Sequence, residues 1–359
     1  MPVFAPAQTG RPKGGGNMGR RRGSSKVSLV RQIENAVKEI ICVGQSKYEA
    51  KKEGRHTEGL YSFKHIQNTM SISIDFARFC REQFEITRII HFKEEHYHAY
   101  LQHKEQEGVS NGHLMNIETG LRKLQTAMHR QAEKLQKEPI SFCSEKRVYN
   151  YQKDRKDPEN RSMSLRDANR LIESVSSVHV RNAFQLQLYL GLRAREVINL
   201  TPEHFDLKNN VLKIEQGKGI TKGGRRREVL IPEHIKDKIR QMIGDKQLHE
   251  KIIPVKDNTL RAALLKAGKV TGVQTNGTHM FRHTFARERF KELLGESYDQ
   301  GKEVLNHMLK NYEQGKRADY GVSQEFKDIY QKVQGVMNIV HEELGHGKGR
   351  LDLAQIYLK

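Results

Sequence analysis

Apolar residues recur at steps of three and four through much of the chain. Leu114, Ile117, Leu121, Leu124 and Met128 form one such stripe, the spacing of an amphipathic helix. Ile66, Met70, Ile74 and Ala77 predict another. The surface between these stripes is dense in Lys, Arg and His, so residues 27–137 read as a small basic helical bundle. The character changes over 138–162. Glu138-Pro139 opens that stretch, and Lys153-Asp154-Arg155-Lys156-Asp157-Pro158 is charged and without period, which predicts a linker. A second domain, 163–359, opens on Ser164 with Asp167 three residues on, a capping pattern leading into Ala168, Leu171, Ile172 and Val175. The helical pattern at 178–190 ends at Gly191. After Asp206, Val211-Leu212-Lys213-Ile214 and Glu228-Val229-Leu230-Ile231 flank a Gly-rich turn at 217–224 and predict an antiparallel hairpin. Helical pattern resumes after Pro232 through Ile235, Ile239 and Met242. The expected fold class is mainly α with a small antiparallel sheet in the second domain.

Charge narrows the partner. Sixty-three Lys and Arg against forty-three Asp and Glu give a formal charge of +20. A polyanion suits such a surface, because each neutralised phosphate releases condensed counterions. Residues 1–26, with Gly14-Gly15-Gly16 and Arg20-Arg21-Arg22, cannot form a core and read as a basic flexible tail. Cys42, Cys80 and Cys143 are too few and too uneven for a disulfide framework, and no CxxC pair suggests zinc. The sequence has no apolar run of membrane-spanning length and no apolar signal core at its N-terminus. A cytoplasmic, nucleoid-associated protein is expected. His91, His96, His98 and His103 lack the carboxylate–histidine spacing of a ligand set, so they read as part of a DNA-facing helix and no metal site is expected.

Five features of the second domain bear chemistry. Gly191-Leu192-Arg193-Ala194-Arg195-Glu196 places Arg193 at a helix–turn–helix junction, where its guanidinium can fork onto phosphate oxygens and Glu196 can hold it. Gly217-Lys218-Gly219 presents Lys218 on a hairpin tip, free to donate a proton to a leaving oxygen. Lys222, Arg225, Arg226 and Arg227 add DNA-binding charge beside it. His279-Met280-Phe281-Arg282-His283 puts His279 and Arg282 on one helical face, with His283 in support. Leu344-Gly345-His346-Gly347 and Ile356-Tyr357-Leu358 complete the set. Taken singly, each could be a solvated pair, an ordinary turn or one tyrosine among twelve.

Taken in order, GLRxxE, GKG, HxxRH, LGH and a tyrosine about ten residues later, they resemble the tyrosine recombinases, the phage-type integrases, over about residues 163–359. The helical region before them is similar in pattern to that family's SAM-like core-binding domain. The resemblance implies a site-specific DNA recombinase, an integrase of a mobile genetic element. Arg193, Lys218, His279, Arg282 and His346 would form the basic cluster and Tyr357 the nucleophile. It implies a 3′-phosphotyrosine intermediate, strand exchange through a Holliday junction, and no cofactor or divalent metal. Its implied partners are double-stranded recombination sites and a homo-tetramer on DNA, with DNA-bending accessory proteins as further candidates and no membrane. A phenol, with a free pKa near ~10, is a weak nucleophile at neutral pH. It needs a proton acceptor, for which His279 is the candidate.

The sequence departs from the family's common pattern in three places. The stretch from Arg282 to His346 is long, and residues about 292–335 read as an insertion, either a surface excursion or a contact to DNA or a neighbouring subunit. The His346-to-Tyr357 spacing is slightly extended. Two residues follow Tyr357 where many relatives have a helix that docks on the next subunit, so subunit coupling is expected to run through the 292–335 insertion. A type IB topoisomerase-like relaxing enzyme and a non-catalytic DNA-binding relative are the alternatives.

Overall fold

The computed structural model describes residues 27–55, 58–150, 161–215 and 226–359. The expected basic tail 1–26 and the Gly-rich turn with Lys218, Lys222 and Arg225 lie outside the described residues. The chain forms two compact units, residues 1–155 and 156–359.

The first unit is helical: α1 Leu29–Lys38, α2 Lys47–Lys52, α3 Phe63–Phe84, α4 Glu94–Gln106 and α5 Asn111–Lys134. Ser28, Ser46 and Ser62 cap α1, α2 and α3 through their hydroxyls, satisfying backbone N–H groups that a helix start leaves unpaired. The α5 stripe is buried as its spacing predicts, from Leu114 to Met128. The α3 stripe is rotated from the expected one. Thr69, Ser73, Phe76, Ala77 and Cys80 face the core, while Ile66, Met70 and Ile74 are only partly buried. Close packing selects this face. Gly120 of α5 lets Ile72 approach so tightly that an added methyl would lie 2.7 Å from its Cδ1.

The expected linker also begins too early. Phe142, Cys143 and Tyr149 are buried in the first unit's core. Their segment is tied to Glu118, a carboxylate with no exposure that accepts from the backbone N–H of Val148 and of Tyr149, both at 3.1 Å, and from the Tyr97 hydroxyl at 2.8 Å. The histidines of α4 do not share one outward face. His96 is buried and its Nδ1 accepts from the Lys93 backbone N–H at 3.1 Å.

The second unit begins with α6 Leu165–Glu173, where the Asp167 N–H donates to Ser164 Oγ at 3.0 Å as the capping pattern predicts. Next come α7 Val178–Leu190 and α8 Ala194–Val197. A three-stranded antiparallel sheet follows in the order β1 Phe205–Asp206, β2 Val211–Ile214, β3 Arg227–Leu230. The register pairs Ile214 with Arg227 and Leu212 with Val229. The remaining helices are α9 Glu233–Ile243, α10 Asp257–Thr271, α11 His279–Leu294, α12 Tyr298–Glu313, α13 Lys327–Glu343 and α14 Leu351–Tyr357.

Two apolar clusters organise this unit. One joins α6, α7, the sheet, α9, α10 and the start of α11. The other joins the rest of α11 to α12, α13 and α14. The expected insertion is therefore no surface excursion, because Val304, Leu305, Met308 and Leu309 of α12 share a buried cluster with Tyr357 and Leu358. No helix among the described residues is long and apolar enough to cross a membrane.

Candidate active site

Gly191 ends α7 with φ +60°, and an added methyl there would overlap the Phe285 ring. Glycine thus turns the chain sharply and frees its own carbonyl to accept from Arg282 Nη1. The turn sets Arg193 at the start of α8, where its Nη1 donates to Glu196 Oε1 at 2.8 Å and its backbone N–H to Oε2 at 2.8 Å.

Glu196 has no exposure. It also binds Arg227, whose Nη2 and Nη1 lie 2.6 and 3.1 Å from its two oxygens. Arg227 Nε donates to the Glu343 carbonyl at 2.8 Å. Burial alone would disfavour the carboxylate. The Arg227 hydrogen bonds and charge outweigh it, with help from the Arg193 N–H and Arg282, and bring its pKa down to about 2. Arg227 was expected on the DNA-binding face. It is instead a buried structural group, because β3 begins one residue earlier than predicted and its alternation turns Arg227 inward with Val229. Arg226, its neighbour, is exposed as expected.

Arg282, on the first turn of α11, is completely buried. Its Nη1 binds the Gly191 carbonyl, and its Nη2 binds the Leu344 carbonyl and lies 3.1 Å from His346 Nε2. A guanidinium only donates, so His346 Nε2 accepts and the proton of the neutral ring sits on Nδ1. Arg282 Nε has no partner among the described residues. Burial and the nearby Arg193 lower the guanidinium to about 10, which leaves it charged at neutral pH. The Glu343 and Leu344 carbonyls belong to the C-terminal end of α13, where the helix dipole favours cations. Gly345 comes next, with φ +71°, and an added methyl would lie 3.2 Å from Arg227 Cδ and Nη1. The LGH glycine is thus required twice over, by its backbone and by the arginine packed on it.

His346, Arg282 and Tyr357 converge. The Tyr357 ring lies 4.8 Å from the His346 ring and 5.9 Å from the Arg282 guanidinium carbon. His283 stacks on Tyr357 at 4.2 Å, and its Nδ1 lies 3.1 Å from the Ile356 carbonyl. A carbonyl only accepts, so this contact places the His283 proton on Nδ1 and leaves Nε2 basic. His279 opens α11 with its ring 6.1 Å from that of His283. Burial and nearby positive charge lower all three histidines. His346 is pushed down to about 2, with Arg282 and Arg193 the next causes. His279 falls to about 4 through burial, Arg282 and Arg193. His283 also falls to about 4, through burial, His279 and Arg161.

Sequence reasoning missed three contributors. Arg161 acts on both His279 and His283, and nothing in its local pattern announces it. The carbonyls that seat Arg282 are backbone groups, invisible to a motif. His341, fully buried on α13, has its ring 5.9 Å from that of His346. Among the described residues no group of His, Cys, Asp and Glu is arranged to hold a metal ion.

Residues 161–299 match the model of the phage integrase family. That stretch is similar to the tyrosine recombinases. Over 134 residues the chain is 29% identical to tyrosine recombinase XerA of Saccharolobus solfataricus, a stretch covering 35% of this chain and 44% of that relative. The match thus spans less than half the length of this curated recombinase. The solved post-cleavage complex of XerH recombinase with a palindromic difH substrate is 16% identical, with a TM-score of 0.53, over 92% of this chain and 91% of that one. A lambda integrase tetramer bound to a Holliday junction is also 16% identical, with a TM-score of 0.52, over 77% of this chain and 74% of that one. At such identity these likenesses show the shared recombinase fold.

Proposed function

We propose that this protein is a site-specific DNA recombinase that cuts and rejoins double-stranded DNA through Tyr357, as an integrase of a mobile genetic element acting in the cytoplasm. The observation that carries this reading is the packing of Tyr357 against His346 and Arg282 of its own chain, 4.8 and 5.9 Å away.

Attack of the Tyr357 oxygen on a phosphodiester forms a P–O bond to the enzyme and breaks the bond to the 5′ oxygen. Negative charge grows on the non-bridging oxygens, and prepositioned donors stabilise it. Arg193, held by Glu196, and Arg282, with Nε directed to no protein acceptor among the described residues, supply fixed positive charge. His346 turns from Arg282 to donate to a phosphate oxygen. The phenolic proton needs a neutral base. His283, with Nε2 basic and its ring stacked on Tyr357, is better placed for that than His279, the candidate from sequence. His279 lies nearer the arginines in its electrostatics and serves the phosphate. Lys218 protonates the departing 5′ oxygen. The 3′-phosphotyrosine retains the bond energy, so attack by a 5′ hydroxyl reseals the strand with no cofactor. Two such exchanges by a tetramer on paired sites pass through a Holliday junction.

The test uses a library of nicked suicide duplexes of random sequence, incubated in EDTA with wild type and with Tyr357→Phe. Detergent-resistant adducts from wild type alone, enriched for one sequence, are expected. Adducts formed by Tyr357→Phe would overturn the assignment. Relaxation of supercoiled plasmid without sequence enrichment would favour a topoisomerase-like activity instead.

A further inference from the structure

The helix that carries Tyr357 is seven residues long, too short to be stable by itself. It follows a loop in which Gly345, Gly347 and Gly349 all take positive φ. Its position is therefore set by what grips it. One grip comes from α11, through the His283 stack and the contact to the Ile356 carbonyl. The other comes from α12. Gln355 is buried, and its Nε2 donates to Glu313 Oε1 at 2.7 Å. Lys359 Nζ lies 3.4 Å from the same oxygen. Beneath these contacts Leu305, Met308 and Leu309 of α12 share an apolar cluster with Ala354, Tyr357 and Leu358.

We propose that Glu313, at the end of α12, is a positioning residue that latches the nucleophile's helix through Gln355 and so holds Tyr357 beside the Arg282 and His346 of its own chain. This rests on the recombinase reading above. It assigns the long stretch between Arg282 and His346 a task within one subunit. The polar contact selects the rotation of α14 on α12, since Gln355 meets Glu313 only when Tyr357 turns towards α11. The apolar surface alone tolerates sliding, because burial is not directional.

Two measurements on the full chain test the latch, using Glu313→Ala, the conservative Glu313→Gln and the volume-preserving Gln355→Met. Hydrogen exchange of residues 351–358 should quicken by about tenfold in Glu313→Ala and Gln355→Met, with α11 and α13 unchanged and Glu313→Gln close to wild type. On the duplex recovered from the suicide library, adduct formation at saturating protein should slow by about tenfold in the same two variants at unchanged duplex affinity. Unchanged exchange of α14 would overturn the latch. Faster exchange with an unaltered cleavage rate would overturn its positioning role. Failure of the recombinase reading shows separately, as absence of any Tyr357 adduct from wild type, and leaves the exchange measurement to decide whether Glu313 grips α14.

Discussion

Glu196 receives Arg227 through both terminal amines, at 2.6 and 3.1 Å, with both side chains out of water. The same carboxylate orients Arg193, so one buried pair fixes the direction of one of the two arginines proposed to bind the phosphate. Removing one member of a buried pair leaves an uncompensated charge, which typically destabilises by ~3–5 kcal/mol. Arg227→Met should therefore lower the urea midpoint sharply, and Arg227→Lys should restore little, because an ammonium cannot serve Glu196 and the Glu343 carbonyl in one plane. Exposed Arg226 gives the contrast. Arg226→Ala should leave the midpoint alone and, if it neutralises one phosphate, flatten the salt dependence of DNA binding by about one unit of slope. The opposite assignment of effects would return Arg227 to the DNA-binding surface.

The histidines make stability depend on pH in a defined direction. His279 and His283 have folded pKa values near 4, below the ordinary value of 6.5. The unfolded chain then binds more protons than the fold between those limits. Their contribution to stability is present above about pH 6.5 and is lost as pH falls towards 4. Glu196, held near 2 against an ordinary 4.5, adds a second loss that begins below about pH 4.5. Melting temperatures from pH 8 to pH 5 should fall for wild type, and less steeply for His283→Gln. Equal slopes for the two proteins would show that His283 is not held neutral by the fold.

Much of this arrangement was legible in the chain, and what was not has physical reasons. The α5 stripe and the Gly191 stop show in the sequence because a helix with one buried face repeats every three to four residues and ends at a left-handed turn. The α3 face misleads because it buries the small polar residues Thr69 and Ser73, and its close approach to α5 is made by Ile72 on Gly120. Arg227 hides among basic neighbours, although it keeps the two-residue alternation of Val229 and Ile231, both buried. Phe142, Cys143 and Tyr149 lie beyond the last periodic element, and polar side chains of α5 hold them: Gln125 Oε1 accepts from the Phe142 and Cys143 N–H groups at 2.7 and 2.6 Å, and Glu118 accepts from the Tyr149 N–H. In the site, Arg193, Arg282, His346 and Tyr357 are brought into one cluster, while the ordering of His279 and His283 about Tyr357 depends on a single backbone carbonyl that no motif encodes.

Both motif glycines are open to a direct comparison. Gly191→Ala and Gly345→Ala each force an alanine into a left-handed conformation, a strain of roughly 1–2 kcal/mol. Gly191→Ala also drives a methyl into the Phe285 ring inside the core, whereas Gly345→Ala presses on an Arg227 side chain at 3.2 Å. The larger loss of stability is expected for Gly191→Ala, and the larger loss of cleavage relative to stability for Gly345→Ala, whose methyl pushes Arg227 against Glu196. Denaturation midpoints and single-turnover cleavage on the same preparations separate the two. Matching losses in both measurements would mean that Gly345 contributes nothing beyond its backbone.

The position of Tyr357 within its own chain's cluster decides how mixed subunits behave. If Tyr357 is the nucleophile and Arg282 binds the phosphate, as proposed above, a tyrosine held 5.9 Å from the Arg282 of the same polypeptide attacks within its own subunit. Tyr357→Phe supplies an intact basic cluster without a nucleophile, and Arg282→Ala supplies a nucleophile without a complete cluster. If the nucleophile were donated between subunits, mixing the two would rebuild a working site on one duplex. With the geometry described here, no mixed pair contains both parts in one chain, so the mixture should form adduct no faster than the sum of its components. Loss of a transition-state donor of this kind commonly slows chemistry by ~10²–10³-fold, so the background is low enough for even partial rescue to show. Adduct formation approaching the wild-type rate in the mixture would mean that α14 leaves its own subunit to act, and that the grip of α11 and α12 on it is released on DNA.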